Sequence, residues 1–254
     1  MLLTIDVGNT NLCFGVYEGE TLKGSFRLST DPGRTADELG LLLCGYFQRF
    51  SLPLDKVEDV IISSVVPQVM GPLEGAVSAY LGRRALVVDR DVDPGLKMAV
   101  EGKERLGSDR SVACVAAVRK YGGPCLLLDF GTATTLDAIN EEGAYLGGCI
   151  APGLGLSMNA LTQGAALLPQ VELACPGKVL DCTTVGQIQA GVVLGYVGAM
   201  EYLIRRAREE MGGVCRVIAT GGLAELIAGS TDLIQVVDKD LMFEGLRLIY
   251  QRRK

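Results

Sequence analysis

The chain has 254 residues, 48% of them apolar, and a formal net charge of −6. This length allows one large domain or two of moderate size with buried cores. The acidic balance argues against nonspecific nucleic-acid binding, which needs a basic surface. The chain contains no histidine. Proton transfer would therefore use Asp, Glu, Lys, Tyr or Cys, and a hard-cation site would need oxygen ligands.

The cysteines and the apolar stretches indicate a cytoplasmic protein with no membrane partner. None of the eight cysteines forms a C-x-x-C pair, so we expect reduced thiols rather than a disulfide framework or a zinc site. Met1 leads directly into an apolar strand without a basic segment, which predicts no signal peptide. The uncharged stretches 143–171 and 182–200 are interrupted by polar residues and by Gly or Pro, which argues against a membrane span.

The first half of the chain predicts a strand meander followed by helices and strands. Apolar runs separated by turns at Gly8 and Gly19 indicate the strands Leu2–Asp6, Leu12–Tyr17 and Leu22–Leu28. Thr35 followed by Glu38 is a capping box before a helical pattern. The later predicted elements are a strand ending near Ser63–Ser64, a helix over Met70–Leu81, a strand over Ala85–Val88, an irregular stretch over Asp91–Arg110 and a helix over Asp109–Tyr121.

The pattern restarts after Gly122-Gly123-Pro124, which predicts a domain boundary there, with domains 1–121 and 122–254. A second three-strand meander follows, then a helix from about Leu156 and a long helical region over Thr184–Met211. A strand ending at Thr220-Gly221-Gly222 and a last helix over Met242–Gln251 complete the chain.

One turn occurs twice, 123 residues apart, each time at the end of an apolar first strand. The two copies are Asp6-Val-Gly-Asn-Thr and Asp129-Phe-Gly-Thr. Such a turn alone is consistent with a glycine hairpin whose Asp forms an Asx turn. It is also suited to phosphate, because Gly lets backbone N–H groups approach and the Asp can hold a cation. The repetition favours the phosphate interpretation and predicts two similar lobes.

The sequence resembles the type III pantothenate kinases, the bacterial kinases of coenzyme A biosynthesis in the acetate kinase/sugar kinase/Hsp70/actin superfamily. The resemblance spans nearly the whole chain and rests on these motifs in order: "DVGNTN", "RTADELG", "ISSVVP", "LGSDR", "DFGTATTLDAI", "GGCIAPGLGLS", "ALLP" and "ATGGLA". It implies an α/β fold of two similar RNase H-like lobes, a duplicated actin-like ATPase fold, around a central cleft. It also implies phosphorylation of pantothenate by ATP in a homodimer with Mg²⁺ or another divalent cation and with K⁺ or NH₄⁺.

The resemblance implies roles for individual residues. The ATP-binding residues would be Asp6, Val7, Gly8, Asn9, Thr10, Asn11, Leu12, Cys13 and Thr132. The substrate-binding residues would be Val100, Gly107, Ser108, Asp109, Arg110 and Thr184, with Asp109 as catalytic base. Asp6 would bind Mg²⁺ through water, and Asp129 would bind the monovalent cation.

The residues themselves support some of these roles. Without histidine a carboxylate base is the natural choice, and Asp109 lies where a loop enters a helix beside Arg110. The helix N-terminus and the Arg110 charge both stabilise a carboxylate at this position. Helix capping by Asp109, with a local ion pair to Arg110, also explains the pattern. Gly221 and Gly222 would let adenosine approach the backbone and complete the predicted ATP site. A tight strand-to-helix turn with no ligand is the alternative.

The substrate side departs from the family's pattern. Val100 stands where the family usually has Tyr, Lys103 where it has Pro, and Ser108 where Ala is common. Asp181 and Cys182 replace a frequent Gly-Lys. These departures keep open a kinase for another small alcohol. A nonenzymatic regulator on the same fold is a separate alternative, and the retained Asp6, Asp109 and Asp129 argue against it.

Three glycines recur at helical spacing, at Gly191, Gly195 and Gly198. Interior glycine costs a helix about 1 kcal/mol relative to Ala, so another backbone is expected to come close there. We interpret this helix as part of a homodimer interface.

Overall fold

The computed structural model describes residues 1–99 and 106–253. The strands are β1 Leu2–Val7, β2 Asn11–Glu18, β3 Thr21–Ser29, β4 Asp59–Ser64, β5 Ala85–Val87, β6 Lys97–Met98, β7 Cys125–Phe130, β8 Ala133–Ile139, β9 Ala144–Pro152, β10 Arg216–Thr220 and β11 Val236–Val237. The α-helices are α1 Ala36–Arg49, α2 Met70–Leu81, α3 Ser108–Tyr121, α4 Leu154–Gly164, α5 Thr184–Gln189, α6 Gly195–Glu210, α7 Ala224–Ala228 and α8 Leu241–Arg253. Two 3₁₀ turns occupy Leu54–Lys56 and Pro67–Val69.

The first sheet is built around β1 and has the strand order β3-β2-β1-β4-β5. Strands β1 to β3 form an antiparallel meander, whereas β4 and β5 extend the sheet parallel to β1. A central strand needs apolar residues on both faces, and the run from Leu2 to Ile5 is buried accordingly. The half-buried Asp6 is the charged residue of this strand and lies near its carboxyl end.

The second sheet repeats this arrangement around β7. Its order is β11-β10-β7-β8-β9-β6, so β7 to β11 take the places of β1 to β5, and β6 pairs with β9 as an addition. The strand directions are also the same. The duplication predicted from the two turns is therefore confirmed at the level of strand order.

The two meanders also share an irregularity. Pairing between the second and third strands shifts register between Val16 and Tyr17 in β2 and between Ala138 and Ile139 in β8. The Asp of each turn pairs with a residue of the second strand, Asp6 with Cys13 and Asp129 with Thr135. In both meanders the register shift begins three residues after that partner. A bulge increases the local twist of a strand pair, so both sheets are twisted at the same place.

The chain is divided into two compact units. Among the described residues, the first unit comprises 1–96, 106–116 and 241–253, and the second comprises 97–99 and 117–240. The chain therefore crosses between units at 96/97, within α3 at 116/117, and again at 240/241. The domain boundary at 121/122 stays a prediction.

Each unit has its own core. In the first unit, Phe14 and Phe26 stack with centroids 4.7 Å apart beneath α1. On the other face, Phe243 and Leu246 of α8 belong to a second cluster with Leu2 of β1. The core of the second unit combines buried residues of β7, β8 and β10 with residues of α6 and α7.

Most of the predicted elements are confirmed, including the capping box. Thr35 is the N-cap of α1, and its hydroxyl accepts the Glu38 N–H while Glu38 accepts the Thr35 N–H. The long helical region begins at Thr184 as predicted but contains a π-helical turn, Ala190–Leu194. The stretch expected to be irregular contains the two-residue strand β6. In the ranges described, none of the helices has both the length and the apolarity to cross a bilayer.

Candidate active site

The first predicted phosphate turn follows β1 in the first unit. Gly8 donates its N–H to the carbonyl of Asn11 at 3.0 Å and closes the turn. Asn9 and Thr10 are exposed at its tip, while Leu12 is buried as β2 begins. The turn therefore presents short polar side chains to solvent from a rigid central strand.

The predicted substrate loop "LGSDR" is bonded to the strand beside this turn. The hydroxyl of Ser63 at the end of β4 donates to the Ser108 hydroxyl at 3.1 Å, and Ser108 donates to the Ser64 carbonyl at 3.1 Å. Ser63 is also the β4 partner of Asp6. The first unit thus brings the loop carrying Asp109 to the same end of the sheet as Asp6. Ser63 and Ser64 were not predicted as site residues, although the motif "ISSVVP" contains them.

Asp109 lies in the first turn of α3 and is half-buried. Its Oδ1 accepts the backbone N–H of Arg110 at 2.8 Å. A Cβ added to Gly107 would lie 2.6 Å from this oxygen, so Gly107 leaves space for the carboxylate. The N-terminus of α3 also stabilises a negative charge at this position. Val100 and Lys103, the substrate-side departures, lie outside the described residues.

The second predicted turn repeats the first in the second unit. Gly131 donates its N–H to the carbonyl of Ala133 at 3.1 Å, as Gly8 does to Asn11. Asp129 is half-buried and pairs with Thr135 on β8 and Thr220 on β10. It therefore occupies the place in this sheet that Asp6 occupies in the first.

The predicted adenosine turn packs against Asp129. Gly221 has φ +92°, and a Cβ added there would lie 2.4 Å from Asp129 Oδ1 and 2.7 Å from the backbone nitrogen of Phe130. Leu223 donates its N–H to the Phe130 carbonyl at 3.3 Å and holds the two turns together. The structure thus brings together Gly221 and Asp129, which were predicted separately for ATP and for a monovalent cation.

Thr132, the other predicted ATP contact of the second unit, is exposed and is supported by Gly153. The Gly153 N–H donates to the Thr132 carbonyl at 3.1 Å. A Cβ on Gly153 would lie 2.3 Å from that carbonyl oxygen, so only glycine allows this approach. The motif "GGCIAPGLGLS" contained this residue, but its spacing did not indicate a role for it.

Thr184 begins α5 and is exposed, while Thr183 is the N-cap. Asp181 accepts the N–H and the hydroxyl of Thr183, each at 2.8 Å, and lies 3.2 Å from Lys178. The Thr183 bonds, followed by the Lys178 interaction, lower the pKa of Asp181 from 3.8 to about 2. The departure at Asp181 therefore fixes the start of the helix that carries Thr184.

Gly191, Gly195 and Gly198 are exposed, and a Cβ added to any of them meets no atom within 4 Å. Close packing inside the described chain does not explain them. Their part in a dimer interface stays a prediction.

Across 1–99 and 106–253, no group of three or more His, Cys, Asp or Glu residues lies together as a metal site. Asp6 and Asp129 would each act as a single carboxylate. One carboxylate is enough for Mg²⁺, which keeps waters and binds phosphate oxygens. The Asp129 carboxylate also fits a cation role, since Gly221 leaves the space beside it that a side chain would fill.

Comparison of the whole structure with solved structures finds similar folds at low sequence identity. A protein assigned to the Baf family of transcriptional activators from Campylobacter jejuni matches with a TM-score of 0.63 at 20% identity, covering 99% of this chain and 98% of that one. An inorganic polyphosphate/ATP-glucomannokinase from Arthrobacter sp. strain KM matches with a TM-score of 0.52 at 16% identity, covering 100% and 99%. Likeness at this level concerns the fold alone, and it agrees with the duplicated actin-like architecture.

Sequence comparisons are more specific. The family model described as type III pantothenate kinase matches residues 2–206. Proteins named type III pantothenate kinase from Geobacter sulfurreducens and Brevibacillus brevis are 45% and 44% identical over 254 residues, with full coverage of both chains. The relative of that name from Agathobacter rectalis is 41% identical over all of this chain and 98% of its own. The chain therefore belongs to the type III pantothenate kinase family.

Proposed function

We propose that this chain is an ATP-dependent pantothenate kinase, which phosphorylates the primary hydroxyl of pantothenate to 4'-phosphopantothenate in coenzyme A biosynthesis. The observation that carries the proposal is the full-length identity of 41–45% to relatives named for this activity. The bonded arrangement of Ser63 with Ser108 supports it, because a kinase needs its acceptor loop beside its phosphate turn.

The reaction assigns one role to each part of the first unit. The turn Asp6–Cys13 binds the ATP phosphates, and Gly107 to Arg110 bind pantothenate. The hydroxyl oxygen of pantothenate bonds to the γ-phosphorus as the bond to the β–γ bridging oxygen breaks and ADP leaves. The hydroxyl proton passes to the Asp109 carboxylate, and Arg110 holds the substrate in place.

The second unit contributes the remaining proposed contacts. Thr132, Gly221 and Gly222 bind ATP, and Asp129 binds K⁺ or NH₄⁺. Asp6 holds Mg²⁺ or another divalent cation through water, and the bound divalent cation neutralises phosphate charge. Gly221 packs closely on Asp129, so a change at one residue must disturb the other. This packing supports the proposal that the ATP contact and the cation contact belong to one site in the second unit.

We also propose that the enzyme is a homodimer in the cytoplasm. The exposed, open positions of Gly191, Gly195 and Gly198 support an approach by a second backbone on that helix face. Thr184 would contact substrate near this interface. All eight cysteines are free, as a reducing compartment requires.

A second candidate is a kinase for another small alcohol, and the substitutions Val100 and Lys103 favour it. They replace an aromatic ring and a Pro on the acceptor side, while the nucleotide motifs are intact. The chemistry at Asp109 would be unchanged.

One assay tests the function: coupled ADP release with ATP, Mg²⁺ and K⁺, with and without pantothenate. We expect pantothenate-dependent turnover and a loss of about 10²- to 10⁴-fold in kcat for Asp109→Asn, the usual contribution of a general base. Asp55→Asn, an exposed site in the turn Leu54–Lys56, is the control and should retain activity. Turnover with a different alcohol only would support the second candidate. No turnover with any alcohol, together with no ATP binding by calorimetry, would contradict both and favour a nonenzymatic regulator.

A further inference from the structure

The connection that follows β3 is bonded directly to the first phosphate turn. Thr30 donates its backbone N–H to the Thr10 carbonyl at 2.9 Å and its hydroxyl to the Gly8 carbonyl at 2.6 Å. These bonds hold the start of the connection against both sides of the turn. The segment after Thr30 therefore begins beside the predicted phosphate site.

Arg34 lies four residues after Thr30, and the backbone on both sides of it is fixed by hydrogen bonds. Its N–H donates to the Asp31 carbonyl at 3.2 Å, and the Gly33 N–H donates to Asp31 Oδ1 at 2.9 Å. The next residue, Thr35, is the N-cap of α1. The backbone of Arg34 is thus fixed between a tight turn and a capped helix, four residues after Thr30, which is itself bonded to the phosphate turn.

The guanidinium of Arg34 has a buried donor that the described chain does not satisfy. Within 1–99 and 106–253, its Nη1 is buried and has no hydrogen-bond acceptor. The Glu38 carboxylate lies close enough to be affected by the Arg34 charge, and its Oε2 accepts the N–H and the hydroxyl of Thr35. Thr35 chiefly lowers the pKa of Glu38, and the Arg34 charge adds to this effect.

A buried guanidinium donor without an acceptor is costly to the fold, so an acceptor that arrives with a ligand would relieve it. The phosphate turn, residues 6–13, contains no Lys or Arg of its own. A nucleoside triphosphate needs positive charge at its phosphates, and the planar guanidinium suits phosphate oxygens.

We infer that Arg34 is a phosphate-binding residue, which donates from Nη1 to the phosphate oxygens of a nucleoside triphosphate held at the turn Asp6–Cys13. The inference rests on the proposed function, because it uses the same nucleotide site. It assigns the first unit a cation for the phosphates that the turn itself lacks. A purely structural Arg34 would instead have its acceptor inside the fold.

The test measures nucleotide binding by calorimetry and by the thermal shift that each ligand produces. Arg34→Gln should weaken ATP binding about 10- to 100-fold, as the loss of a hydrogen bond to a charged group predicts. Adenosine, which has no phosphates, should bind both proteins equally. Arg34→Lys keeps the charge and should recover part of the affinity. Arg49→Gln, an exposed Arg at the other end of α1, is the matched control and should bind ATP normally.

Stability without ligand separates the two roles of Arg34. The Arg34→Gln protein should melt at or above the temperature of the original protein, because a buried unsatisfied donor is removed. Unchanged ATP affinity in Arg34→Gln, or an equal loss of ATP and adenosine binding with a lower melting temperature, would overturn the inference. If the original protein binds ATP through Arg34 but does not turn over pantothenate, the inference stands and the proposed acceptor fails. If the original protein binds no ATP, both fail.

Discussion

Ser63 donates a hydrogen bond to Ser108 at 3.1 Å and pairs with Asp6 in the first sheet, so one residue supports two predicted parts of the site. Both hydroxyls are buried. The loop that carries Asp109 is therefore anchored to the strand that flanks the phosphate turn. The anchor also gives the buried Ser108 hydroxyl both an acceptor and a donor inside the first unit.

Ser108→Ala should lower stability by about 1 kcal/mol, because it removes one hydrogen bond and leaves the Ser63 hydroxyl without its acceptor. The Asp109 carboxylate keeps its bond to the Arg110 N–H, so kcat should change less than the KM for pantothenate, because Ser108 belongs to the proposed pantothenate-binding loop. Urea unfolding and the ADP-release assay measure the two effects. Ser78→Ala, at an exposed position of α2, is the control and should not destabilise. Unchanged stability of Ser108→Ala in urea would contradict the anchoring role of the Ser63–Ser108 bond.

Gly221→Ala should be much more harmful than Gly222→Ala. The φ of +92° at Gly221 strains any other residue by about 1–3 kcal/mol, and the new Cβ would meet Asp129 Oδ1 at 2.4 Å. We expect lower stability and weaker activation by K⁺, since the carboxylate must move. A Cβ on Gly222 meets no atom within 4 Å, so Gly222→Ala should keep its stability. Equal melting temperatures for the two variants would contradict this account.

Tyr196→Phe should loosen the second turn. The Tyr196 hydroxyl is bonded to buried Thr134, and its ring packs edge-on against Phe130, the residue after Asp129. Burial raises the pKa of Tyr196 above its ordinary 10.0, so the hydroxyl stays protonated at neutral pH. Its removal leaves Thr134 unpaired and should cost about 1–3 kcal/mol.

The readout for Tyr196→Phe is the K⁺ concentration for half-maximal activity, measured beside urea unfolding. A positioning role predicts that this concentration rises, while a role in stability alone predicts no change. Tyr202→Phe is the control, because Tyr202 lies in the same helix and is 63% exposed. It should alter neither quantity.

Asp181 should make the start of α5 sensitive to acid. Its pKa is lowered to about 2 in the fold, chiefly by Thr183, from 3.8. A lowered carboxyl pKa contributes stability above the unfolded value, and this contribution is lost as the pH falls from about 4 to about 2. The melting-temperature difference between the original protein and Asp181→Asn should therefore shrink over this range. A difference that does not vary with pH would refute the assignment.

Features that depend on residues adjacent in the chain could be predicted from the sequence alone. The capping box at Thr35 and Glu38 and the boundaries of α2 follow from local patterns, and the repeated Asp-x-Gly turn predicted the second sheet. Family motifs then named the candidate residues. Local patterns and motif order are both properties of the linear chain, which is why they could be predicted.

Contacts between distant segments could not be predicted in this way. Ser63 and Ser108 are 45 residues apart, and nothing in either segment indicates that the other is its partner. The same holds for Gly153, where glycine is required by the close approach of the Thr132 and Gly131 carbonyl oxygens. Arg34 was part of a quoted motif, but its unsatisfied donor depends on the side chains around it.

The place of α8 has a consequence for the order in which the protein folds during synthesis. The strands of the first sheet leave the ribosome first, yet Phe243, Leu246 and Ile249, which cover one face of that sheet, are translated after every strand of the second. The second unit, residues 117–240, is nearly continuous and can fold as soon as it emerges. The half that is made first therefore completes its core last, and until then the nascent chain exposes one apolar face of β1 and β4.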